Sequence, residues 1–192
     1  MEENINQIYE SIMLSGIDYL KLDLKAPYKE MIKELNFFDK KFSDQNSYGW
    51  QSLAYRGLSL HEGRPHNSYG FNREDDVPYV WTELADQCPH TIKFIKENFK
   101  CDKFYRIKLN IVKPFGIVPL HSDARTSILG FTEHSPYIDT EALNIKYITI
   151  ALNWPKSHPF YLDNKKLPIK NGDVFLIDFS KKHSLVNFSR KS

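Results

Sequence analysis

Residues 160–179 read FYLDNKKLPIKNGDVFLIDF, and this stretch decides the fold class. Apolar runs at both ends flank a polar segment that contains Asn171-Gly172, a dipeptide that favours a tight turn. The pattern predicts a strand, a turn and a second strand. The segment HSLVNF, residues 183–188, follows closely and predicts another short strand.

Two segments upstream have the same character. In RIKLNIV, residues 106–112, apolar side chains alternate with polar ones, as in a half-buried strand. YITIALNW, residues 147–154, is apolar and rich in β-branched side chains. Several short strands joined by turns, with no helices between them, favour an antiparallel sandwich or jelly roll.

The first half of the chain carries helical and loop patterns instead. Residues 28–40 have the spacing of a short helix. A second helix is predicted at VWTELAD, residues 80–86, and a third begins at Pro89. Residues 56–76 are rich in Gly, Asn and charge and predict a long loop, which is often functional in a compact domain.

We therefore predict a single domain over residues 1–192, with a helical and loop-rich part over 1–103 and a β core over 104–192. Helices packed outside one sheet would make the fold α+β in appearance and mainly β. A chain of 192 residues is long enough for one domain with a sizeable core.

Composition and charge argue against several classes of protein. With 26 basic and 24 acidic residues the net charge is +2, which gives no electrostatic case for a nucleic-acid partner. No apolar run is long enough to span a bilayer, and the polar N-terminus does not have the pattern of a signal peptide, so we expect none. Only two cysteines, Cys88 and Cys101, are present, which fits a reducing compartment. We expect a cytoplasmic protein without nucleic-acid or membrane partners.

The segment GIVPLHSDART, residues 116–126, carries the candidate chemistry. His121 and Asp123 are separated by one residue at the end of a predicted strand, so they point to the same side. His183 begins a later strand. Two histidines and one carboxylate form the facial triad of non-haem Fe(II) oxygenases, which leaves positions open for a co-substrate and O2. Taken singly, each residue also fits an ordinary structural role in a strand or turn.

Arg190 follows His183 closely. The outer carboxylate of 2-oxoglutarate favours a bidentate, permanently charged partner, and arginine suits this better than lysine. A solvated basic tail is an equal alternative for Arg190, because the chain ends in SRKS.

Three segments resemble a known family: VPLHSDARTSI (118–128), YITIALNWP (147–155) and NGDVFLIDFSKKHSLVNFS (171–189). They resemble the 2-oxoglutarate/Fe(II) oxygenases, and within them the aspartyl/asparaginyl β-hydroxylase and proline hydroxylase group. The resemblance implies a double-stranded β-helix, a jelly roll of the cupin type.

The resemblance also implies roles for individual residues. His121, Asp123 and His183 would bind iron and form the catalytic centre. Arg125 and Ser127 would contact the co-substrate, with Ser127 replacing a histidine that the group often carries. Arg190, or a residue beyond Ser192, would hold the co-substrate carboxylate.

The implied activity is a dioxygenase that uses Fe(II), 2-oxoglutarate and O2 to hydroxylate a C–H bond. We expect a small amino acid or similar polar molecule as substrate; a peptide or protein side chain is the alternative. A metal-binding cupin or sensor without 2-oxoglutarate turnover is the other alternative. Residues 50–71 are the candidate substrate lid. The sequence does not predict an oligomeric state.

Overall fold

The structure is a computed structural model that describes residues 18–35, 43–44, 49–56, 80–99, 107–121, 147–154, 158–179 and 181–189. Its strands are β1 (Tyr19–Lys25), β2 (Ser43–Asp44), β3 (Trp50–Arg56), β4 (Ile107–Val112), β5 (Ile117–His121), β6 (Tyr147–Ile150), β7 (Phe160–Leu162), β8 (Lys165–Lys166), β9 (Asp173–Ile177) and β10 (His183–Val186). Its helices are α1 (Tyr28–Leu35), α2 (Glu83–Asp86) and α3 (Pro89–Asn98). The chain divides into two compact units, Met1–Ala26 with Pro119–Leu185, and Pro27–Val118 with Val186–Ser192.

The first unit contains two sheets. In one, β9 lies between β1 and β6 and pairs antiparallel with both. The other has the order β5-β10-β7-β8, with β7 antiparallel to β10 and to β8. All five residues of β9 are buried, as expected of a central strand that is covered on both faces.

A shared apolar cluster joins these two sheets. Phe175 and Ile177 of β9 belong to the same buried cluster as Phe160 and Leu162 of β7. Partly buried side chains pack around it: Tyr19, Trp154, Ile169, Phe179 and Leu185. Both sheets therefore contribute side chains to one buried apolar cluster.

Two turns in the first unit have a clear chemical basis. Asp163 and Asn164 both have positive φ, 44° and 65°, and they join β7 to β8 as a two-residue hairpin. Asx residues tolerate this left-handed backbone, which the favoured hairpin turn requires. In the turn at Lys170–Asp173, the Asp173 amide donates to the Lys170 carbonyl and Gly172 has φ 78°. Here only glycine avoids a steric cost.

A buried carboxylate attaches β1 to the start of β9. The Asp173 side chain is 1% exposed and accepts hydrogen bonds from Lys25 Nζ at 2.8 Å and from the Lys170 amide at 3.1 Å. Lys21 Nζ lies 3.0 Å from the same carboxylate. Burial alone would raise the pKa of Asp173, but these lysines and the amide hold it below its usual value.

The second unit contains the sheet β2-β3-β4 and the three helices. Pro89 occupies the first turn of α3, and Ile92, Ile95 and Phe99 are buried. The Glu34 carboxylate of α1 accepts hydrogen bonds from the His90 and Thr91 amides and from the Thr91 hydroxyl. Glu34 thus caps the N-terminus of α3 from another helix.

A tight turn between β4 and β5 also lies in the second unit. The Gly116 amide donates to the Lys113 carbonyl, with Pro114 and Phe115 in the central positions. Phe115 has φ 58° and is 70% exposed. Asn187 fixes the turn from outside, because it exchanges backbone hydrogen bonds with Phe115 and Gly116.

The mainly β, antiparallel character predicted from the sequence is confirmed. The helix predicted to begin at Pro89 is present as α3. The helix predicted over 28–40 is present as α1 up to Leu35, and residues 36–40 lie outside the described residues. The strand predicted over 147–154 ends at Ile150. None of the helices in the described part of the chain is both long and apolar enough to cross a membrane.

The first half contains strands that the sequence analysis did not predict. β1 and β3 each run for seven residues in the part that was expected to be helical and loop-rich. Both form because a distant strand supplies their hydrogen bonds: β9 for β1, and β4 for β3. The predicted long loop over 56–76 begins where β3 ends, and residues 57–76 lie outside the described residues.

Candidate active site

Two of the predicted iron ligands lie on neighbouring strands of one sheet. His121 is the last residue of β5 and His183 is the first residue of β10, and these strands are adjacent. The centroids of the two imidazole rings are 4.3 Å apart, with the ring planes tilted by 53°. Imidazole nitrogens bind a metal at about 2.0–2.1 Å, so two histidines that share one metal have to lie side by side, as these two do. The structure brings this predicted pair together.

Both histidines are oriented by the same hydrogen bond. His121 Nδ1 lies 2.7 Å from the Pro119 carbonyl oxygen, and His183 Nδ1 lies 3.0 Å from the Lys181 carbonyl oxygen. A carbonyl oxygen only accepts, so each Nδ1 carries the proton and donates. In a neutral imidazole the lone pair is then on Nε2, the atom that ligates a metal. Backbone carbonyls commonly orient metal-binding histidines in this way.

Aromatic side chains enclose His183, which is only 3% exposed. The Phe160 ring is nearly parallel to the imidazole, with centroids 6.1 Å apart and an angle of 14°. The Phe179 ring meets it edge-on at 4.6 Å. These two contacts restrict rotation of the imidazole and keep water away from one side of it. Neither phenylalanine stands out in the sequence.

A further group of side chains lies behind Phe160. The Trp154 ring is 6.4 Å from the Phe160 ring and 6.5 Å from the His158 ring. Trp154 Nε1 donates to the His158 carbonyl oxygen at 2.9 Å, and the Trp154 amide donates to Asn171 Oδ1. Burial lowers the pKa of His158, so this imidazole is neutral. Nothing in the sequence distinguishes His158 from the other histidines.

The remaining predicted site residues lie outside the described residues. These are the third iron ligand and the three residues assigned to the co-substrate: Asp123, Arg125, Ser127 and Arg190. Within the described ranges, no group of three or more His, Cys, Asp and Glu side chains is placed to hold a metal. Of the candidate lid over 50–71, the part up to Arg56 is strand β3 and not a loop, and residues 57–71 lie outside the described residues.

The second unit contains a buried polar cluster of its own. The Cys88 thiol is fully buried, and burial together with Glu34 raises its pKa to about 11. Burial also raises the pKa of Tyr55. Both groups stay protonated at neutral pH, so the thiol is not an activated nucleophile.

The family model for aspartyl/asparaginyl β-hydroxylases matches residues 18–192. The chain belongs to this family. A search among curated proteins found no match. Members of the family depend in general on Fe(II) and 2-oxoglutarate, and they are hydroxylases. The matched region contains both His121 and His183.

Proposed function

We propose that this chain is an Fe(II)- and 2-oxoglutarate-dependent dioxygenase that hydroxylates an aspartyl or asparaginyl side chain of a peptide or protein. One observation carries the proposal: His121 and His183, far apart in the sequence, have rings 4.3 Å apart in a member of a hydroxylase family. Asp123 would complete the facial triad.

The two described histidines fit an Fe(II) site. The hydrogen bond at Nδ1 leaves Nε2 as the atom through which each neutral imidazole would ligate. Bound iron would activate O2 so that 2-oxoglutarate is oxidised to succinate and CO2, while a C–H bond of the substrate becomes C–OH. The protein's own residues orient the two imidazoles and exclude water beside His183.

The co-substrate carboxylate would be held by Arg190, with Arg125 and Ser127 as further contacts. The proposed architecture is the double-stranded β-helix. Two features support it: the antiparallel pairing in both sheets of the first unit, and the single apolar cluster to which both sheets contribute. The single-domain organisation and the cytoplasmic location also stay predictions.

For the substrate, the family favours the second alternative of the sequence analysis. Its description names aspartyl and asparaginyl groups, the forms that these amino acids take within a polypeptide. It does not support the small free amino acid that the sequence analysis put first. A peptide or protein side chain is therefore the substrate that we propose.

The experiment measures succinate formation from 2-oxoglutarate in air, with Fe(II) and ascorbate. Peptides that contain Asp or Asn are compared with the free amino acids, and mass spectrometry detects an added oxygen atom. We expect the native chain to form succinate and to hydroxylate a peptide, and His121→Ala to do neither. His90→Ala is the matched control, because His90 lies exposed on α3.

Three other outcomes would each contradict a different part of the proposal. If only free amino acids are hydroxylated, the proposed substrate class is wrong and the reaction stands. If the native chain binds Fe(II) but neither binds nor consumes 2-oxoglutarate, the dioxygenase proposal is wrong and a metal-binding cupin or sensor replaces it. If His121→Ala forms succinate as fast as the native chain, the histidine pair is not the iron site.

A further inference from the structure

His158 is a buried polar side chain that lacks a protein partner. The residue is 8% exposed, and its Nδ1 is buried without a hydrogen bond. Nearly all buried polar atoms in folded proteins are hydrogen-bonded, because leaving one unpaired is destabilising. An unpaired imidazole nitrogen therefore calls for an explanation, and a ligand is one.

Local contacts fix the position of His158. Its carbonyl oxygen accepts the Trp154 Nε1 hydrogen bond, and the Trp154 backbone is attached in turn to Asn171. Trp154 also lies against the His158 ring. The unpaired nitrogen thus belongs to a well-anchored residue.

Trp154 and Phe160 connect His158 to the histidine pair. The Trp154 ring lies 6.5 Å from the His158 ring and 6.4 Å from the Phe160 ring. Phe160 in turn stacks on His183. His158 and Phe160 are both buried. A row of aromatic contacts therefore leads from the buried imidazole to a proposed iron ligand.

We propose that His158 Nδ1 donates a hydrogen bond to a carboxylate oxygen of 2-oxoglutarate, an inference that rests on the proposed function. A neutral imidazole provides one N–H donor and adds no charge to the interior. Its hydrogen bond to a carboxylate is charge-assisted, which makes it stronger than one between neutral groups. The bound co-substrate would pair the atom that the ligand-free chain leaves unpaired.

The register of the strands gives the separation. His183 pairs with Leu162, and His158 precedes Leu162 by four residues, which corresponds to about 13 Å along an extended chain. 2-Oxoglutarate held at the iron would have to reach across this separation to His158. A carboxylate of an aspartyl substrate has the same chemistry. We assign the contact to 2-oxoglutarate because His158 is enclosed by Trp154 within the interior, where a free small acid enters more easily than a peptide.

The test measures by calorimetry how tightly 2-oxoglutarate binds to the full chain loaded with Mn(II). Mn(II) replaces iron and prevents turnover. His158→Phe keeps the ring shape and removes the donor, and we expect it to weaken binding about tenfold or more. The melting temperature of the ligand-free variant should stay equal or rise, because an unpaired polar atom is removed. His158→Asn retains an N–H donor and should lose less affinity. His90→Phe, on the exposed face of α3, is the control.

Equal 2-oxoglutarate affinity of His158→Phe and the native chain would overturn the inference. So would unchanged 2-oxoglutarate affinity with weakened binding of an aspartyl peptide, which would assign the contact to the substrate. If His158→Phe does not fold, the Nδ1 resonance of His158 in the native chain decides: it must shift when 2-oxoglutarate is added, and no shift overturns the inference. Failure of the native chain to bind 2-oxoglutarate would instead refute the proposed function.

Discussion

Replacing Asp173 by Asn tests whether a buried charge attaches β1 to β9. The carboxylate accepts hydrogen bonds from Lys25 and from the Lys170 amide, and Lys21 lies within 3.0 Å. The asparagine oxygen can still accept from the amide, so the substitution removes only the interactions between opposite charges. A hydrogen bond to a charged group contributes about 1.5–3 kcal/mol.

Solvent reduces the expected effect. The Lys21 and Lys25 side chains are 51% and 59% exposed, so water rehydrates them when the carboxylate is lost. We expect Asp173→Asn to lower the free energy of unfolding by about 1.5–2.5 kcal/mol at neutral pH. Urea unfolding followed by tryptophan fluorescence measures it. Asp163→Asn is the control: Asp163 is partly exposed, its lysine partner is 3.8 Å away, and Asn suits its positive φ. This control should change stability by less than about 0.5 kcal/mol.

The pH dependence gives the same prediction a second, independent test. The pKa of Asp173 is lowered in the folded chain, so its contribution is fully present above its unfolded pKa of about 3.9. The contribution is lost as pH falls through the folded value. The difference between native and Asp173→Asn should therefore shrink when the urea series is repeated near pH 3. A difference that is independent of pH, or a loss no larger than that of the control, would refute the reasoning.

Two further predictions concern the second unit. Glu34→Gln should lower the free energy of unfolding by about 1–2 kcal/mol, because it weakens the cap on α3. The control, Glu97→Gln at an exposed position of α3, should lower the free energy of unfolding by less than about 0.5 kcal/mol. Equal losses in the two variants would contradict the capping role of Glu34. Phe115→Gly should leave stability unchanged or raise it by up to about 1 kcal/mol, because φ 58° strains a side chain that is 70% exposed. Phe115→Ala is the control, because it removes the ring and keeps the backbone strain. A marked loss of stability in Phe115→Gly would contradict the prediction and show that the ring contributes packing.

The sequence predicted that His121 and His183 lie close together, but it did not predict the side-chain contacts around them. His121 and His183 stand out because each ends or begins a recognisable strand, and the order of strands brings them together. The contacts that orient the two imidazoles could not be predicted in this way. The bond from each Nδ1 to a carbonyl two residues earlier depends on side-chain rotation, which no residue pattern encodes. The unpaired nitrogen of His158 likewise becomes visible only when burial and partners are known.

The fold was harder to predict where pairing is distant. In β1, Leu20, Leu22 and Leu24 alternate with Lys21, Asp23 and Lys25, which is a two-residue period. That period forms a strand only where a partner supplies hydrogen bonds, and the partner of β1 is β9, near the other end of the chain. The hairpin at Asp163-Asn164 is local, yet β8 is two exposed lysines and carries no strand signal of its own.

Phe160 takes part both in the apolar core and in the contacts that orient His183. The packing that stabilises the fold therefore also positions a residue of the proposed iron site. Phe160 belongs to the apolar cluster that both sheets of the first unit form, and its ring stacks on His183. The Lys181 carbonyl fixes one edge of the imidazole, while Phe160 and Phe179 restrict its plane. His183 therefore receives its orientation from folding, before any metal binds. A ligand that is already oriented loses less conformational freedom on binding, which increases metal affinity.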